Sequence, residues 1–197
     1  MPYLKEVVDQ INTDLNDGAF SFAPFVPLFN GISELIPTTE GGDAASFPAM
    51  YDADGIGEFT SIDDRYNLVA YHRCLGRSYA SEGVNFGDFN DNYVETNQML
   101  LVVWAKKDDL RMTKETIQDK IVLSLPTDLS AQFKYDYAGV NAVYVAANDI
   151  NTDPRSVWAQ EFAGYDYQLS TSNVLFTLTY SVEIKYRKSC ISDCLEC

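Results

Sequence analysis

Cys190, Cys194 and Cys197 lie within the last eight residues of the chain, spaced so that three thiolates could surround one zinc or iron ion. A fourth ligand would have to come from Cys74, from Asp193 or from a neighbouring subunit. Asp193 and Glu196 stand beside these thiols and oppose their ionisation, which argues against redox sensing. The expected reading is a terminal tail, residues 190–197, whose cysteines hold no metal. Asp63 with Asp64, Asp88 with Asp91, and Asp108 with Asp109 offer oxygen ligands to a hard cation, but none has the spacing of a calcium loop. Solvated acidic loops are expected there. The one histidine, His72, is followed by Arg73 and Cys74 and matches neither a zinc deaminase nor a metalloprotease pattern. A packed or exposed strand histidine is expected rather than a catalytic one. Gly55-Ile56-Gly57 lacks the further glycine and the helix that a phosphate-binding loop needs, and Gly164 precedes a strand. Nothing assembles a nucleophile, a base and an oxyanion site, so the chain is expected to be no enzyme and to hold no cofactor or metal.

The elements that would position these groups follow from periodicity. Residues 164–168, followed at once by 174–186, read as one long strand with strict alternation. Val174, Phe176, Leu178, Tyr180, Val182, Ile184 and Tyr186 share one face, while Thr177, Thr179, Ser181, Glu183 and Lys185 share the other. So tidy a polar face suits a sheet wetted on one side, or one packed on a polar neighbour. Residues 2–17 read as a helix with an apolar stripe of Leu4, Val7, Val8, Ile11 and Leu15. Its other face carries Lys5, Glu6, Asp9, Gln10 and Asn12, and Asp17-Gly18 is its stop. Residues 20–37 are broken by Pro24, Pro27 and Pro37, leaving room for short extended pieces at 21–23 and 28–29. Residues 47–51 suit a short edge strand, where Pro48 is tolerated. Residues 98–105 read as a central strand apolar on both faces, closed by Lys106 and Lys107. A helix at 113–125 follows, with Thr113 as N-cap, Ile117, Ile121, Val122 and Leu125 as its stripe, and Pro126 as its end. A strand at 142–147, a loop at 151–154 and a helical turn at 156–162 complete the pattern.

This order predicts an α+β fold, an antiparallel or mixed sheet with two helices packed on one face. The span 52–97, rich in turn signals, is expected to leave that domain as an insertion, a long loop or hairpin, although a strand at 68–74 fits within it. Residues 1–189 then form one domain. A formal net charge of -15, from 29 acidic and 14 basic residues, excludes a protein that wraps nucleic acid, because counterion release needs a dense basic surface. It remains compatible with a wall past which nucleic acid slides. No apolar run approaches the ~20 residues of a membrane span. The N-terminal residues lack a signal peptide's basic and apolar regions, which predicts a protein made in a cytoplasm.

Gly164-Tyr165-Asp166-Tyr167-Gln168, together with Leu178-Thr179-Tyr180-Ser181-Val182, resembles the tail terminator proteins of lambda-type bacteriophages. The apolar strand at 98–106 that ends in basic residues and leads into the helix at 113–125 extends the resemblance. It covers roughly residues 1–20 and 98–187, but neither 52–97 nor the cysteine tail. The resemblance implies a ring-forming virion protein at the head–tail junction. Such a protein terminates the tail tube or builds a neck or collar, contacts the head connector or adaptor, and lets DNA pass through its lumen without specific binding. A homo-oligomeric hexamer or dodecamer is implied, with no membrane partner. The same features leave open another tube or adaptor subunit of a virion, or a metal-binding enzyme with an unrecognised site on Cys190, Cys194 and Cys197.

Overall fold

Two segments of alternating apolar residues build the centre of the fold. The computed structural model describes residues 2–19, 27–40, 43–51, 57–59, 65–82, 92–137, 139–167 and 169–187. In chain order its elements are α1 (Pro2–Ala19), β1 (Pro27–Ile32), β2 (Glu34–Glu40), β3 (Asp43–Tyr51), β4 (Gly57–Phe59), β5 (Leu68–Glu82), β6 (Asn92–Lys106), α2 (Lys107–Leu110), α3 (Lys114–Ser124), α4 (Ser130–Asp136), β7 (Val140–Asn151), α5 (Pro154–Glu161) and β8 (Asn173–Arg187). A five-stranded sheet has the order β1-β5-β6-β8-β7, and a smaller one the order β2-β3-β4. Only β1 and β5 run parallel in the large sheet; its other pairs are antiparallel. The fold is therefore α+β with a mixed sheet, as the sequence predicts.

Period-two alternation gives the large sheet two different faces. Leu68, Ala70, Met99, Leu101, Val103, Phe176, Leu178, Tyr180 and Val182 point to one side. There they pack in one buried cluster with Leu4, Val8, Ile11 and Leu15 of α1, Ile117 and Ile121 of α3, and Phe133 of α4. Both predicted helices thus lie on one face, joined by α4, which the sequence reading left unassigned. The other face is not left wet. Tyr71, Leu100, Val102, Trp104 and Leu175 bury against Val157 of α5, and Trp158 and Leu169 pack beside them. Thr177, expected on a polar face, is buried there.

Local chemistry sets the element ends. Thr113 caps α3 by accepting the Thr116 N–H at 3.2 Å, and Asp153 caps α5 by accepting the Arg155 N–H at 3.0 Å. Leu125 closes α3 just before Pro126. The stretch 164–168 does not join the last strand. α5 ends at Glu161, a turn follows, and β8 begins only at Asn173. Gly164 adopts φ +86° in that turn, and a Cβ there would come within 2.7–2.8 Å of Ala44 and Ala45 in β3. The Ser46 N–H donates to the Ala163 carbonyl at 2.8 Å, so this turn fastens the small sheet.

Two further expectations are corrected. Within the span 52–97, residues 68–82 and 92–97 do not leave the domain: they form β5 and the start of β6, which pair from Leu68↔Ala105 to Glu82↔Asn92 in the large sheet, while residues 52–56, 60–64 and 83–91 lie outside the described residues. The apolar run that carries β5 into the sheet is short and flanked by turn signals, so periodicity alone underrates it. Residues 47–51 are not an edge strand but belong to β3, the middle of the small sheet. Pro48 is accommodated because β4 borders β3 only along Ala49, Met50 and Tyr51. Residues 21–23, Gly55 and the cysteines of the tail lie outside the described residues.

Leu178 is 1% exposed and pairs with Leu101 on one side and Ile150 on the other. Leu178→Ala should cost about 2–5 kcal/mol by leaving a cavity. Leu178→Asp should abolish the cooperative urea transition, because a buried unpaired charge exceeds the stability margin of such a domain. A Leu178→Asp variant with an intact transition would show that this face is not the core.

Candidate assembly surface and its buried supports

His72 is the centre of a closed chain of hydrogen bonds. It points from β5 toward α1 and is completely buried. Asn12 Nδ2 donates to the Asn30 carbonyl of β1 at 3.0 Å, which turns its Oδ1 toward the imidazole. Oδ1 can only accept, so His72 Nε2 carries the proton and donates to it at 2.8 Å. Nδ1 is then free to accept from the Tyr180 hydroxyl of β8 at 2.6 Å. Burial lowers the His72 pKa to about 3 and pushes the Tyr180 hydroxyl up. Four elements, α1, β1, β5 and β8, meet at this neutral imidazole. Its lack of solvent contact makes it a fastening, in line with the expected packed histidine. Asn12, assigned from sequence to the polar face of α1, turns inward to complete it.

A second buried group fastens the opposite face. Glu161, the last residue of α5, is fully buried. Its carboxylate accepts from the Tyr71 hydroxyl at 2.9 Å and pairs with the Arg73 guanidinium, both from β5. Burial raises the Glu161 pKa, while Arg73 and Tyr71 pull it back down. Burial raises the Tyr71 pKa as well. A third group supports the far half of the sheet. Glu95 accepts from Arg77 at 3.1 Å, from Asn97 Nδ2 at 3.0 Å and from the Tyr186 hydroxyl at 3.2 Å. The carboxylates of Glu161 and Glu95 are engaged by donors from other strands, so these clusters bind the strands together.

The remaining residues singled out for chemistry do not converge. Asp108 and Asp109 lie exposed in α2, and Asp109 accepts from the Asn67 side chain at 3.4 Å. Cys74 is exposed and unbridged. Asp63, Asp64, Asp88, Asp91, Cys190, Asp193, Cys194 and Cys197 fall outside the described residues. Among the described residues no three His, Cys, Asp or Glu side chains gather as metal ligands, and no helix is long and apolar enough to cross a membrane.

The surface of note is a sheet edge. β1 borders β5 only from Leu68 to His72, where the Ser33 N–H donates to the His72 carbonyl at 2.7 Å. Beyond it, residues 74–81 are all exposed, with Leu75 at 47% and Tyr79 at 44%. Among the described residues no strand borders the outer side of this stretch. A bulge between Cys74 and Gly76 reverses the alternation there. Before the bulge the odd residues face β6, as the Lys106 N–H bonded to the Asn67 carbonyl shows. After it, Gly76, Ser78 and Ala80 face β6, so Ser81 presents its backbone outward. The opposite edge, on β7, is covered around Val143 and Val145, while residues 146–149 of the strand are exposed. The Leu129 N–H donates to the Val143 carbonyl at 2.9 Å, and the Val145 N–H to the Thr127 carbonyl at 3.0 Å. One edge of this sheet is therefore covered in part by its own chain, and the other ends in an exposed arm.

Compared with known protein families, with characterised proteins and with solved structures, the chain matches none. The class that the fold defines is an α+β protein with a mixed sheet and helices on both faces.

The buried imidazole gives a signed pH dependence. His72 titrates near 6.5 when unfolded and near 3 when folded. Between those values only the unfolded state binds the proton, so stability falls as pH drops, by ~1.4 kcal/mol per pH unit. Glu161, with its raised pKa, acts in the opposite sense above its ordinary value of 4.5. Urea titrations of the parent and of His72→Gln between pH 7 and pH 4 isolate the histidine, since Glu161 is common to both. The parent should lose about 2 kcal/mol or more relative to the variant across that range; parallel slopes would show that His72 titrates normally.

Proposed function

We propose that this chain is a structural subunit of a tailed-bacteriophage virion. It forms a homo-oligomeric ring at the head–tail junction, where it terminates the tail tube or builds the neck or collar. Its partners in that role are other copies of itself, the tail tube or neighbouring neck proteins, and the head connector or adaptor. DNA passes through the ring without specific binding. The mechanism is binding, not catalysis. One observation supports the reading: past His72, β5 runs as an exposed arm with no strand along its outer side among the described residues. An open sheet edge is a template for another chain. Pairing of such an edge with a different surface of the next copy is a heterologous contact, which closes into a ring when the rotation between copies allows.

The net charge of -15 supports the second half of the reading. An acidic lumen repels phosphate and keeps a passing duplex from sticking. Specific DNA binding with a steep loss of affinity in salt would overturn this part, and so would a lumen lined by Lys106, Lys107, Arg111 and Lys114.

Negative-stain electron microscopy of the purified chain should show single closed rings of six or twelve copies, as the resemblance implies. Long filaments would identify a tube subunit instead, and monomers at every concentration would sink the proposal. The double variant Leu75→Asp/Ser81→Pro should keep its thermal transition while failing to form rings. It places a charge on the arm and removes an outward N–H without touching the pairing to β6. Rings in that variant would exclude the arm as the contact.

A further inference from the structure

The connection from β7 to β8 leaves the large sheet after Asn151 and rejoins it at Asn173, carrying α5 across the second face on the way. None of its described residues belongs to a strand, so it can lift without breaking the large sheet's ladder. Its apolar hold on that face is narrow. Tyr71, Leu100, Val102, Trp104 and Leu175 belong to the sheet, and Val157 alone is buried against them from the connection, with Trp158 and Leu169 partly buried beside it. By contrast, α1 by itself sets Leu4, Val7, Val8, Ile11 and Leu15 into the core on the opposite face. The closed arrangement also leaves a donor unmet. Trp104 packs 6.0 Å from the Trp158 ring, and its Nε1 is buried with no acceptor. Water satisfies that donor once the cover lifts. A covering element with few buried apolar contacts is one that opens below the free energy of global unfolding. What holds it down is polar. The fully buried Glu161 carboxylate, at the end of α5, is gripped by Tyr71 and Arg73 of β5. Without Arg73 it would be a buried charge with no counter-charge, which favours release into water.

The small sheet is coupled to the same connection. The turn after α5 fastens β3 through the Ser46 N–H and the Ala163 carbonyl. Gly164 in that turn lies so close to Ala44 and Ala45 that a Cβ would strike them. Of the other described elements, α5 has the most extensive contact with the small sheet. Phe162 stacks 4.6 Å from Trp158, and Tyr167 meets Trp158 edge-on at 5.8 Å, contacts that travel with the connection. Ser33 stands where β1 ends and the small sheet begins, and its N–H is held by the His72 carbonyl. It is the anchored side of a hinge.

We propose that α5 with its following turn, residues 153–167, and the small sheet form one flap over the second face, latched by the Arg73–Glu161 pair, which opens as a unit while the rest of the fold stays intact. Opening uncovers an apolar strip of Leu100, Val102, Trp104 and Leu175. The device lies within a single chain and does not depend on assembly.

Native-state hydrogen exchange of the full chain at low urea tests it. The Phe162 N–H, bonded to the Trp158 carbonyl, reports on α5, and the Ser46 N–H reports on the small sheet. Both should exchange through one opening, with the same opening constant and urea dependence, at least about tenfold more readily than the Leu101 and Leu178 amides of the central strands. Arg73→Met should raise the opening constant of both by the same factor, at least about a hundredfold, and Arg73→Lys, which keeps the charge, should restore most of the protection. Exchange of Phe162 and Ser46 only together with Leu101 and Leu178 would overturn the flap, and this holds for the parent chain even if Arg73→Met fails to fold. Different opening constants for Phe162 and Ser46 in the parent, or a response of Phe162 alone to Arg73→Met, would overturn the coupling of α5 to the small sheet. Equal effects of Arg73→Lys and Arg73→Met would overturn the ion pair as the latch.

Discussion

The ladder between β6 and β8 is the constraint on which the rest of the structure depends. Both strands are 15 residues long and pair from Asn92↔Arg187 to Lys106↔Asn173 with no register shift. That alignment puts Met99, Leu101 and Val103 beside Leu178, Tyr180 and Phe176 on one face, and Leu100, Val102 and Trp104 near Leu175 and Thr177 on the other. A slip of one residue in either strand would turn its whole apolar set to the wrong side. α1, α3 and α4 would lose the surface they cover, and α5 would meet large residues shaped for other neighbours.

Hydrophobic burial alone would tolerate a slip of two residues, which keeps each side chain on its face. The buried polar groups do not, because each needs its partners at hydrogen-bonding distance. Tyr180, His72 and Asn12 tie β8 to β5 and α1; Glu161, Tyr71 and Arg73 tie α5 to β5; Glu95, Asn97, Arg77 and Tyr186 tie the far half of β5, β6 and β8 together. β5 contributes to all three. The bulge after Cys74 makes this possible. Before it, His72 and Arg73 project to opposite faces. After it, Arg77 reaches the helix-side face of the sheet, where Glu95 and Asn97 stand.

The asymmetry of the two sheet edges links this architecture to the proposed role. The segment at residues 127–129 carries the chain from α3 into α4 and covers β7 at Val143 and Val145. Among the described residues no strand covers β5 past His72.

Much of this was legible in the residues. The stripe of Leu4, Val7, Val8, Ile11 and Leu15, the cap at Thr113 with the stop at Pro126, and the alternation from Val174 to Tyr186 each carry their signal within a dozen or so neighbours, and each element stands where that signal puts it. Local propensity and period are properties of the chain itself, and burial only had to agree with them. Other features depended on residues far apart in sequence. Asn12 reads as a surface residue until His72 and Asn30 are brought to it, and Glu161 reads as an exposed helix end until Tyr71 and Arg73 lie beneath it. Thr177 looks polar-faced until α5 covers it, and the strand at 68–82 looks like the start of an excursion until β6 is laid along it. In each case the deciding energy is the desolvation of a group by a partner far away in the chain, which no local pattern encodes. The sequence by itself therefore determined α1, α3, the alternation of the central strands and the α+β class. The tertiary structure alone decided which polar groups became internal fastenings and which stretches of the sheet edges the chain itself covers.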